Sequence, residues 1–323
     1  MRVFISGGAG FIGSHLATRL IRDGHQVAIL DDLSTGDMKN ILHLRDEPNF
    51  EYRIGSTLDA PLVSEMVDLA DITVHLAAAV GVRLIVERPI HTIETNVGGT
   101  EVVLAAASKK NKRVLLASSS EVYGNSTKFP FSEDDDLVLG PTTHSRWAYA
   151  CSKALDEWLG FAYMRERGVP VTICRFFNTV GPGQTGRYGM VLPNFVRQAL
   201  AGEPLTVFGT GEQTRCFGHV QDVVEALVRL MSTDAALGEV FNIGTSEEVS
   251  IRQLAERVIE IAGSSSRIEY VPYDRAYAEG FEDMMRRGPD VSKLEATIAF
   301  RPSIPLAQII SDVVNHETAR GIA

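Results

Sequence analysis

The chain contains 323 residues and has an ordinary globular composition, with 45% hydrophobic and 22% charged residues, and its length favours about two domains. Its formal net charge of −10 argues against a nucleic-acid-binding surface. No apolar run approaches the ~18 residues that cross a bilayer, so we expect neither a nucleic-acid partner nor membrane association.

Short apolar runs alternate with segments of helix length from the first residues onward. The runs that predict strands lie at 3–6, 26–30, 72–76, 114–118 and 171–176. Apolar residues spaced three and four apart predict long helices over 92–108 and 147–167. This alternation indicates an α/β fold with a Rossmann-type doubly wound parallel sheet. The first run is too short for a signal peptide, and we expect a cytoplasmic protein.

A glycine-rich segment follows the first predicted strand and opens the first predicted helix. A phosphate binds well at a helix N-terminus, because unpaired N–H groups and the helix dipole favour negative charge. Gly7 permits the tight turn, Gly10 lets the backbone approach a pyrophosphate, and Gly13 lets the helix pack on the strand. The GxxGxxG spacing therefore predicts a dinucleotide site; the alternative is a glycine turn without a ligand.

Two acidic residues, Asp31 and Asp32, end the second predicted strand. A carboxylate at this position can bind the ribose hydroxyls of the adenosine half of a dinucleotide. It also repels a 2′-phosphate. The sequence therefore predicts NAD rather than NADP as the cofactor.

A tyrosine and a lysine, Tyr149 and Lys153, lie one helical turn apart on the predicted helix 147–167. A phenol has a pKa of about 10 and is a poor base at neutral pH. The ammonium group, together with a positive nicotinamide, would lower that pKa and favour the phenolate. The serines 118–120 end a predicted strand and offer a hydroxyl for a substrate oxygen. A Tyr–Lys pair alone is common on helix surfaces, and it gains weight from the glycine turn and these serines.

The second half of the chain predicts a smaller α/β domain. Helices are expected at 190–201, 220–230 and 251–262, and strands at 205–208, 238–243 and 268–271. Ser250 and Gln253 form a capping box before the last of these helices. We predict a dinucleotide-binding domain over 1–178, with returns near 218–245, and a discontinuous substrate domain over most of 179–323.

The three cysteines, Cys151, Cys174 and Cys216, lie far apart, without metal-ligand spacing. Buried thiols in a reducing compartment explain them, and we expect neither a disulfide nor a metal site.

Further short motifs match one known family. Its motif residues here are Gly7, Gly10, Gly13, Asp31, His75-Leu76-Ala77-Ala78, Asn96, Gly99, Thr100, Ser119, Tyr149, Lys153 and Arg175-Phe176-Phe177-Asn178. With these, the chain resembles the extended short-chain dehydrogenase/reductases, and more narrowly their nucleotide-sugar epimerases, dehydratases and decarboxylases. The resemblance runs nearly end to end, and it implies NAD in the first domain and a sugar nucleotide in the second.

The resemblance also implies roles for individual residues. It makes Ser119, Tyr149 and Lys153 the catalytic triad. The cofactor-binding residues that it implies, beside Tyr149 and Lys153, are Gly7, Gly10, Phe11, Ile12, Gly13, Asp31, Asp32, Ser56, Leu76, Ala77, Ala78 and Asn96. The substrate-binding residues that it implies are Asn178, Arg187, Arg215 and Arg287. The family usually has an Asp after the glycine that ends the third strand; here Ser56 follows Gly55, and the adenine contact is weakened or replaced.

Members of this group share a first step, in which Tyr149 would take the proton of a sugar 4-hydroxyl while hydride leaves C4 for NAD. The residues after the serine distinguish the later steps. By the family resemblance, epimerases usually have small neutral residues there. The 4,6-dehydratases have a sequence like Thr-Asp-Glu at this place, and the UDP-glucuronic acid decarboxylases have one like Thr-Ser-Glu. Ser120 is too weak an acid for a dehydratase, and Glu121 is unusual for an epimerase, so the pattern favours a decarboxylase. The alternative for Glu121 is a surface or helix-cap carboxylate.

A second cue lies at Arg287, just before Gly-Pro-Asp. In the decarboxylases that this segment resembles, an arginine here reaches the sugar carboxylate, and it would orient that group or protonate the enol carbon through water. The alternative is an arginine that binds the diphosphate. Arg146-Trp147 before the tyrosine motif also resembles the bacterial 4-keto-forming decarboxylases. Ser120, Glu121 and Arg287 therefore join the catalytic candidates.

We therefore predict an NAD-dependent UDP-glucuronic acid decarboxylase that forms UDP-xylose or a 4-keto-pentose. The alternatives are a UDP-hexose or UDP-glucuronate 4-epimerase, then a 4,6-dehydratase. A non-catalytic NAD-binding sensor is a different class, whose members typically lack the Tyr or the Lys. By resemblance, the predicted helices 92–108 and 147–167 pack on a second subunit as the four-helix bundle of a homodimer; the alternative is their burial within one chain.

Overall fold

A computed structural model describes residues 1–81, 88–186, 189–272 and 284–321. Its main sheet contains seven parallel strands in the order β11-β6-β5-β4-β1-β2-β3. These strands are β1 (Arg2–Ser6), β2 (Gln26–Asp31), β3 (Phe50–Ile54), β4 (Ile72–His75), β5 (Arg113–Ser119), β6 (Val171–Phe176) and β11 (Val240–Ile243). The doubly wound parallel sheet predicted from the alternating pattern is confirmed.

Helices cover both faces of this sheet. They are α1 (Phe11–Arg22), α2 (Ala60–Leu69), α3 (Pro89–Ile93), α4 (Gly99–Ser108), α5 (Trp147–Arg167) and α7 (Val220–Met231). Because side chains alternate across a strand, Val3 and Ile5 of β1 pack on the α1 and α7 side. Phe4 between them packs with Val67 of α2 and Leu104 of α4 on the other side. Both faces of the sheet are thus apolar, as a parallel sheet requires.

The predicted helix 92–108 is a longer helical run with a change of winding. It begins at Pro89, since proline at the first helical position needs no N–H partner. A π-helical stretch, Glu94–Gly98, then joins α3 to α4. Such stretches are frequent at functional sites, and this one carries Asn96. The predicted helix 147–167 is confirmed as α5, with the same bounds.

The described residues of the second half form three small sheets and further helices. Its elements are β7 (Thr179–Val180), α6 (Val191–Leu200), β8 (Leu205–Phe208), β9 (Thr214–Cys216), β10 (Gly218–His219), β12 (Glu248–Ser250), α8 (Ile251–Ile261), β13 (Ile268–Val271), β14 (Arg286–Arg287), α9 (Ser292–Ile298) and α10 (Leu306–Ala319). β8 pairs with β13, β7 with β10, and β9 lies between β12 and β14. The capping box of Ser250 and Gln253 is confirmed.

The second half also completes the first. β11 pairs with β6 at the edge of the main sheet, and α7 packs against α1. Segments 220–230 and 238–243 thus lie beside elements of residues 1–178, although the domain bounds themselves stay a prediction.

The cysteines differ from expectation at one position. Cys174 and Cys216 are buried, but Cys151 is exposed, because it lies on the outer face of α5. None of the helices in the described ranges is long and apolar enough to cross a membrane.

Candidate active site

A cavity of about 910 Å³ runs along the carboxyl ends of the main strands, at the upper end of the range for small-ligand sites. Twelve of the predicted cofactor residues line it: Gly7, Gly10, Phe11, Ile12, Gly13, Asp31, Asp32, Leu76, Ala77, Ala78, Tyr149 and Lys153. The glycine turn and the Tyr–Lys pair thus line the same cavity, although they are more than 130 residues apart in sequence.

The glycine turn leaves no room for larger residues. Gly7 has a φ of +73°, a left-handed conformation that glycine adopts readily. A Cβ on Gly13 would lie 2.2 Å from the carbonyl oxygen of Gly7. The first turn of α1 therefore approaches the end of β1 closely, which supports the predicted reason for these glycines.

The two acidic residues after β2 lie in different surroundings. Asp31 is buried and accepts hydrogen bonds from the backbone N–H groups of Ala9 (2.9 Å) and Leu33 (2.8 Å). Burial raises the pKa of Asp31 despite these hydrogen bonds. Asp32 is exposed and accepts hydrogen bonds from the N–H and hydroxyl of Ser34. Asp31 thus braces the glycine turn, and Asp32 leaves more of its carboxylate open to a ligand.

Two predicted cofactor residues are not part of the described cavity wall. Gly55 and Thr57 line the cavity, whereas Ser56 between them accepts a hydrogen bond from the Leu58 N–H at 3.2 Å. Asn96 is fully buried in the π-helical stretch. Arg187 lies outside the described residues.

Asn96 instead lies behind the cavity wall and holds it through hydrogen bonds. Its side-chain carbonyl accepts a hydrogen bond from the Ala79 N–H at 2.8 Å. Its amide donates to the Ser152 hydroxyl on α5 at 3.1 Å. Asn96 thus ties the loop after β4, which lines the cavity, to the helix that carries the Tyr–Lys pair.

The Tyr–Lys pair is buried beside Ser119. Burial raises the pKa of Tyr149, while the charge of Lys153 and a hydrogen bond with Ser119 lower it. The Lys153 ammonium donates to Asp156 and to the Ala117 carbonyl, both at 3.0 Å. The expected fall of the phenol pKa therefore does not arise from these residues alone, since burial outweighs the charge of Lys153.

A buried polar network supports the same helix, and the sequence analysis did not find it. The guanidinium of Arg175 on β6 donates to both oxygens of Glu157 on α5, at 2.9 and 2.7 Å. It also donates to the Tyr123 hydroxyl at 2.9 Å, which donates to Asn242 of β11 at 2.7 Å. The spacing of Lys153 and Glu157 by four residues was the available signal, because it places both on one helix face.

Glu121 lies just past the end of β5 and forms ion pairs with two arginines. It contacts Arg287, and it contacts Arg146 at 3.3 Å. Burial would raise the pKa of Glu121, but the charges of Arg287 and Arg146 outweigh it and hold that pKa at about 2. Its side chain is only 20% exposed, so it is not the surface carboxylate considered as the alternative. Ser120 beside it is buried.

The substrate-side candidates converge on this pair. Arg287 also donates to the side-chain carbonyl of Asn178 at 2.6 Å, and Asn178 donates to the Cys216 carbonyl at 3.1 Å. The parallel pairing of β9 and β14 places Arg215 opposite Arg287. The Arg215 charge also acts on Glu121. Glu121 in turn acts on Tyr149, so this cluster lies near the Tyr–Lys pair, although Glu121, Arg215 and Arg287 are not among the residues that line the cavity.

Comparisons with known proteins give relatives along the whole chain. A family model described as the NAD dependent epimerase/dehydratase family matches residues 3–244. The UDP-N-acetyl-alpha-D-glucosaminuronate decarboxylase of Bacillus cytotoxicus is 44% identical over 314 residues, covering 97% of this chain and 96% of that protein. UDP-glucuronic acid decarboxylase 1 of Xenopus tropicalis is 37% identical over 315 residues, covering 98% of this chain and 72% of that protein.

A solved structure gives a similar result for the fold. The UDP-glucuronic acid 4-epimerase of Bacillus cereus, in complex with UDP-glucuronic acid and NAD, superposes with a TM-score of 0.89 at 26% sequence identity. The match covers 99% of this chain and 100% of that chain. Both halves of the fold therefore have counterparts in that enzyme.

Proposed function

Because the chain belongs to the NAD dependent epimerase/dehydratase family, we propose that it oxidises C4 of a UDP-linked uronic acid and releases the sugar carboxylate as CO2. The family predicted from the motifs is confirmed, and the chain is an NAD-dependent enzyme. The substrate class, the decarboxylation and the residue roles are our proposal.

The residues of the long cavity fit NAD. At the start of α1, a Cβ on Gly10 would lie 3.1 Å from the Gly7 oxygen and one on Gly13 would lie 2.2 Å from it, so only glycine allows this close approach of the turn. Asp31, Asp32 and Tyr149 line the same cavity. When bound, NAD supplies the acceptor for the hydride of C4.

The Tyr–Lys pair carries out the first step, the oxidation at C4. Tyr149 takes the proton of the 4-hydroxyl, and Ser119, which hydrogen-bonds with it, orients the same oxygen. The Lys153 charge favours the phenolate. Asp156 holds that ammonium at 3.0 Å and thereby fixes its position.

The observation that carries the proposal is the ion pair of Glu121 with Arg287. A guanidinium in this position suits the carboxylate of a uronic acid, because two N–H groups can bind two oxygens. Oxidation places that carboxylate β to the C4 ketone. The bond from C5 to the carboxyl carbon then breaks, its electrons pass to the ketone as an enolate, and CO2 leaves. C5 takes up a proton, and we assign that delivery to Glu121.

The substrate is tested by mass spectrometry of the products. The protein is incubated with NAD and either UDP-glucuronate or UDP-N-acetylglucosaminuronate, which correspond to the two curated relatives. Loss of the mass of CO2 from one of them supports the proposal and identifies the sugar. An isomer of unchanged mass would make the enzyme a uronate 4-epimerase, the activity of the Bacillus cereus neighbour.

Two variants test whether the release of CO2 depends on Arg287. We expect Arg287→Lys to lose most CO2 release, since lysine lacks the planar fork of donors. Arg286→Lys is the matched control, because its side chain is exposed and pairs with Glu248 instead. Equal activity of both variants would contradict the role of Arg287.

We also propose a homodimer through α3 and α5, which pack against each other. They leave large apolar side chains exposed: Ile90 (71%), Ile93 (45%), Leu155 (40%) and Trp158 (61%). A second copy of the chain would cover this surface as a four-helix bundle. Sedimentation should give a dimer for the native chain and a monomer for Trp158→Glu; a native monomer would refute it.

A further inference from the structure

Glu121 is the shared counter-ion of several arginines. Arg287, Arg146 and Arg215 all act on its carboxylate. The arginines come from distant parts of the chain: β14, the start of α5 and β9. Positive charge from three separate elements therefore acts on one carboxylate.

This arrangement conflicts with the role that Glu121 needs in catalysis. With Arg287 and Arg146 beside it, Glu121 has a pKa of about 2, so it is ionised at neutral pH and carries no proton to deliver. Arg287 is engaged as well. One of its terminal nitrogens donates to Glu121 and the other to Asn178, so its fork is already occupied.

We propose that Glu121 holds Arg287 in place of the substrate carboxylate, and that only a sugar carboxylate displaces it and so frees Glu121 to take up a proton from water and deliver it to C5. This inference rests on the proposed function. It makes Glu121 a specificity-determining residue as well as a proton donor. A sugar with a neutral C6 group would leave the pair closed and Glu121 ionised.

The exchange keeps an anionic partner on Arg287. One carboxylate replaces another on Arg287, so the guanidinium is never left buried without a partner, which would be costly. Asn178 holds Arg287 at 2.6 Å and is itself fixed to the Cys216 carbonyl. The arginine can therefore stay in place while its anion changes.

The displaced Glu121 then lies in a different electrostatic environment. It loses its contact with Arg287, whose charge contributes most to the low pKa of Glu121. Burial then raises that pKa with less opposition. Arg146, which lies 3.3 Å from Glu121 before the exchange, remains available as its partner and can keep Glu121 near the substrate. The arriving carboxylate adds a negative charge beside it, which favours its protonated form further.

Binding without turnover tests the exchange. The background is Tyr149→Phe with NAD, and the two ligands are UDP-N-acetylglucosaminuronate and UDP-N-acetylglucosamine, which differ only at C6. Calorimetry should show that Glu121→Gln binds the uronate about tenfold more tightly, because Arg287 no longer has an internal carboxylate to release. Binding of the neutral sugar should change less than about twofold, which also shows that the site remains folded.

A second cycle separates exchange from plain repulsion between two carboxylates. In an Arg287→Gln background, exchange predicts that Glu121→Gln no longer tightens uronate binding, whereas repulsion predicts that the gain persists. Glu248→Gln, which removes the neighbouring partner of Arg286, should affect neither ligand. The inference is overturned if the gain persists without Arg287, if both sugars gain equally, or if the uronate gains nothing.

Failure of the proposed function has a different signature. A protein that binds both sugars and forms an epimer instead of CO2 would refute decarboxylation. The binding cycle would still decide whether Glu121 and the uronate compete for Arg287.

Discussion

Replacing Glu157 by Gln should destabilise the protein strongly, although Glu157 is not assigned to the reaction. Its carboxylate accepts two hydrogen bonds from Arg175 and one from the Ser118 hydroxyl at 2.5 Å. Both charged side chains are buried, with 6% and 5% of their surfaces exposed. Burial alone would lower the pKa of Arg175, but hydrogen bonds and charge from Glu157 outweigh it and raise that pKa. The variant therefore leaves a buried guanidinium that cannot lose its charge.

The size of the effect follows from the burial of this pair. Breaking a buried ion pair by removing one partner costs about 3–5 kcal/mol. For 323 residues, an unfolding entropy of about 2.1 cal/mol/K per residue gives about 0.7 kcal/mol/K. The melting temperature should therefore fall by about 4–7 °C.

Thermal unfolding followed by circular dichroism measures this change. Glu225→Gln is the control, because Glu225 also pairs with two arginines but near the surface, where such pairs contribute less than about 1 kcal/mol. The double variant Glu157→Met/Arg175→Met should recover much of the loss, since it removes both charges. If Glu157→Gln lowers the melting temperature by less than about 2 °C, the buried charge is not what holds these elements together.

Three further variants probe the site and the core. Tyr149→Phe should keep bound NAD but lose its reduction by a UDP-sugar by at least about 100-fold, measured from absorbance at the nicotinamide band; near-normal reduction would exclude Tyr149 as the base. Gly13→Ala should elute from gel filtration with little NAD, since its Cβ would lie 2.2 Å from the Gly7 oxygen and would distort the glycine turn, and a full complement of NAD would contradict the role of this turn in binding NAD. Burial lowers the pKa of His75 to about 3, below the ~6.5 of an unfolded histidine. Below pH ~6.5 the unfolded chain therefore binds a proton that folded His75 does not, and the free energy of unfolding falls as the pH drops. Between pH 7 and pH 5, the free energy of unfolding measured with urea should therefore fall by about 2 kcal/mol less for His75→Gln than for the native chain. Equal falls would refute this.

Features set by local spacing could be predicted from the sequence. The glycine turn follows β1 directly, so its three glycines and the start of α1 lie within one short segment. Tyr149 and Lys153 share a helix face because they are four residues apart, and the bounds of α5 follow from its apolar periodicity and the left-handed Gly168 after it. These parts needed no knowledge of distant contacts.

Features set by long-range packing could not be predicted in the same way. Arg215 and Arg287 become neighbours only through the register of β9 and β14, which are about 70 residues apart in the chain. Motif matching identified Glu121 and Arg287 separately, but it contained no sign that they pair with each other. Asn96 shows a related limit: a motif marks a residue as belonging to a site, while only packing shows that it braces the wall from behind.

The position of β11 has a consequence for the synthesis of this protein. Residues 1–178 leave the ribosome with β6 as the open edge of the sheet and with the α7 side of α1 uncovered, because Val240–Ile243 and α7 have yet to emerge. An open, apolar strand edge is a template for pairing with other chains. The nascent first half must therefore wait for some 65 more residues before β11 pairs with β6 and α7 covers the apolar face beside α1. A protein shortened at the end of its first predicted domain should aggregate rather than fold into an isolated nucleotide-binding module.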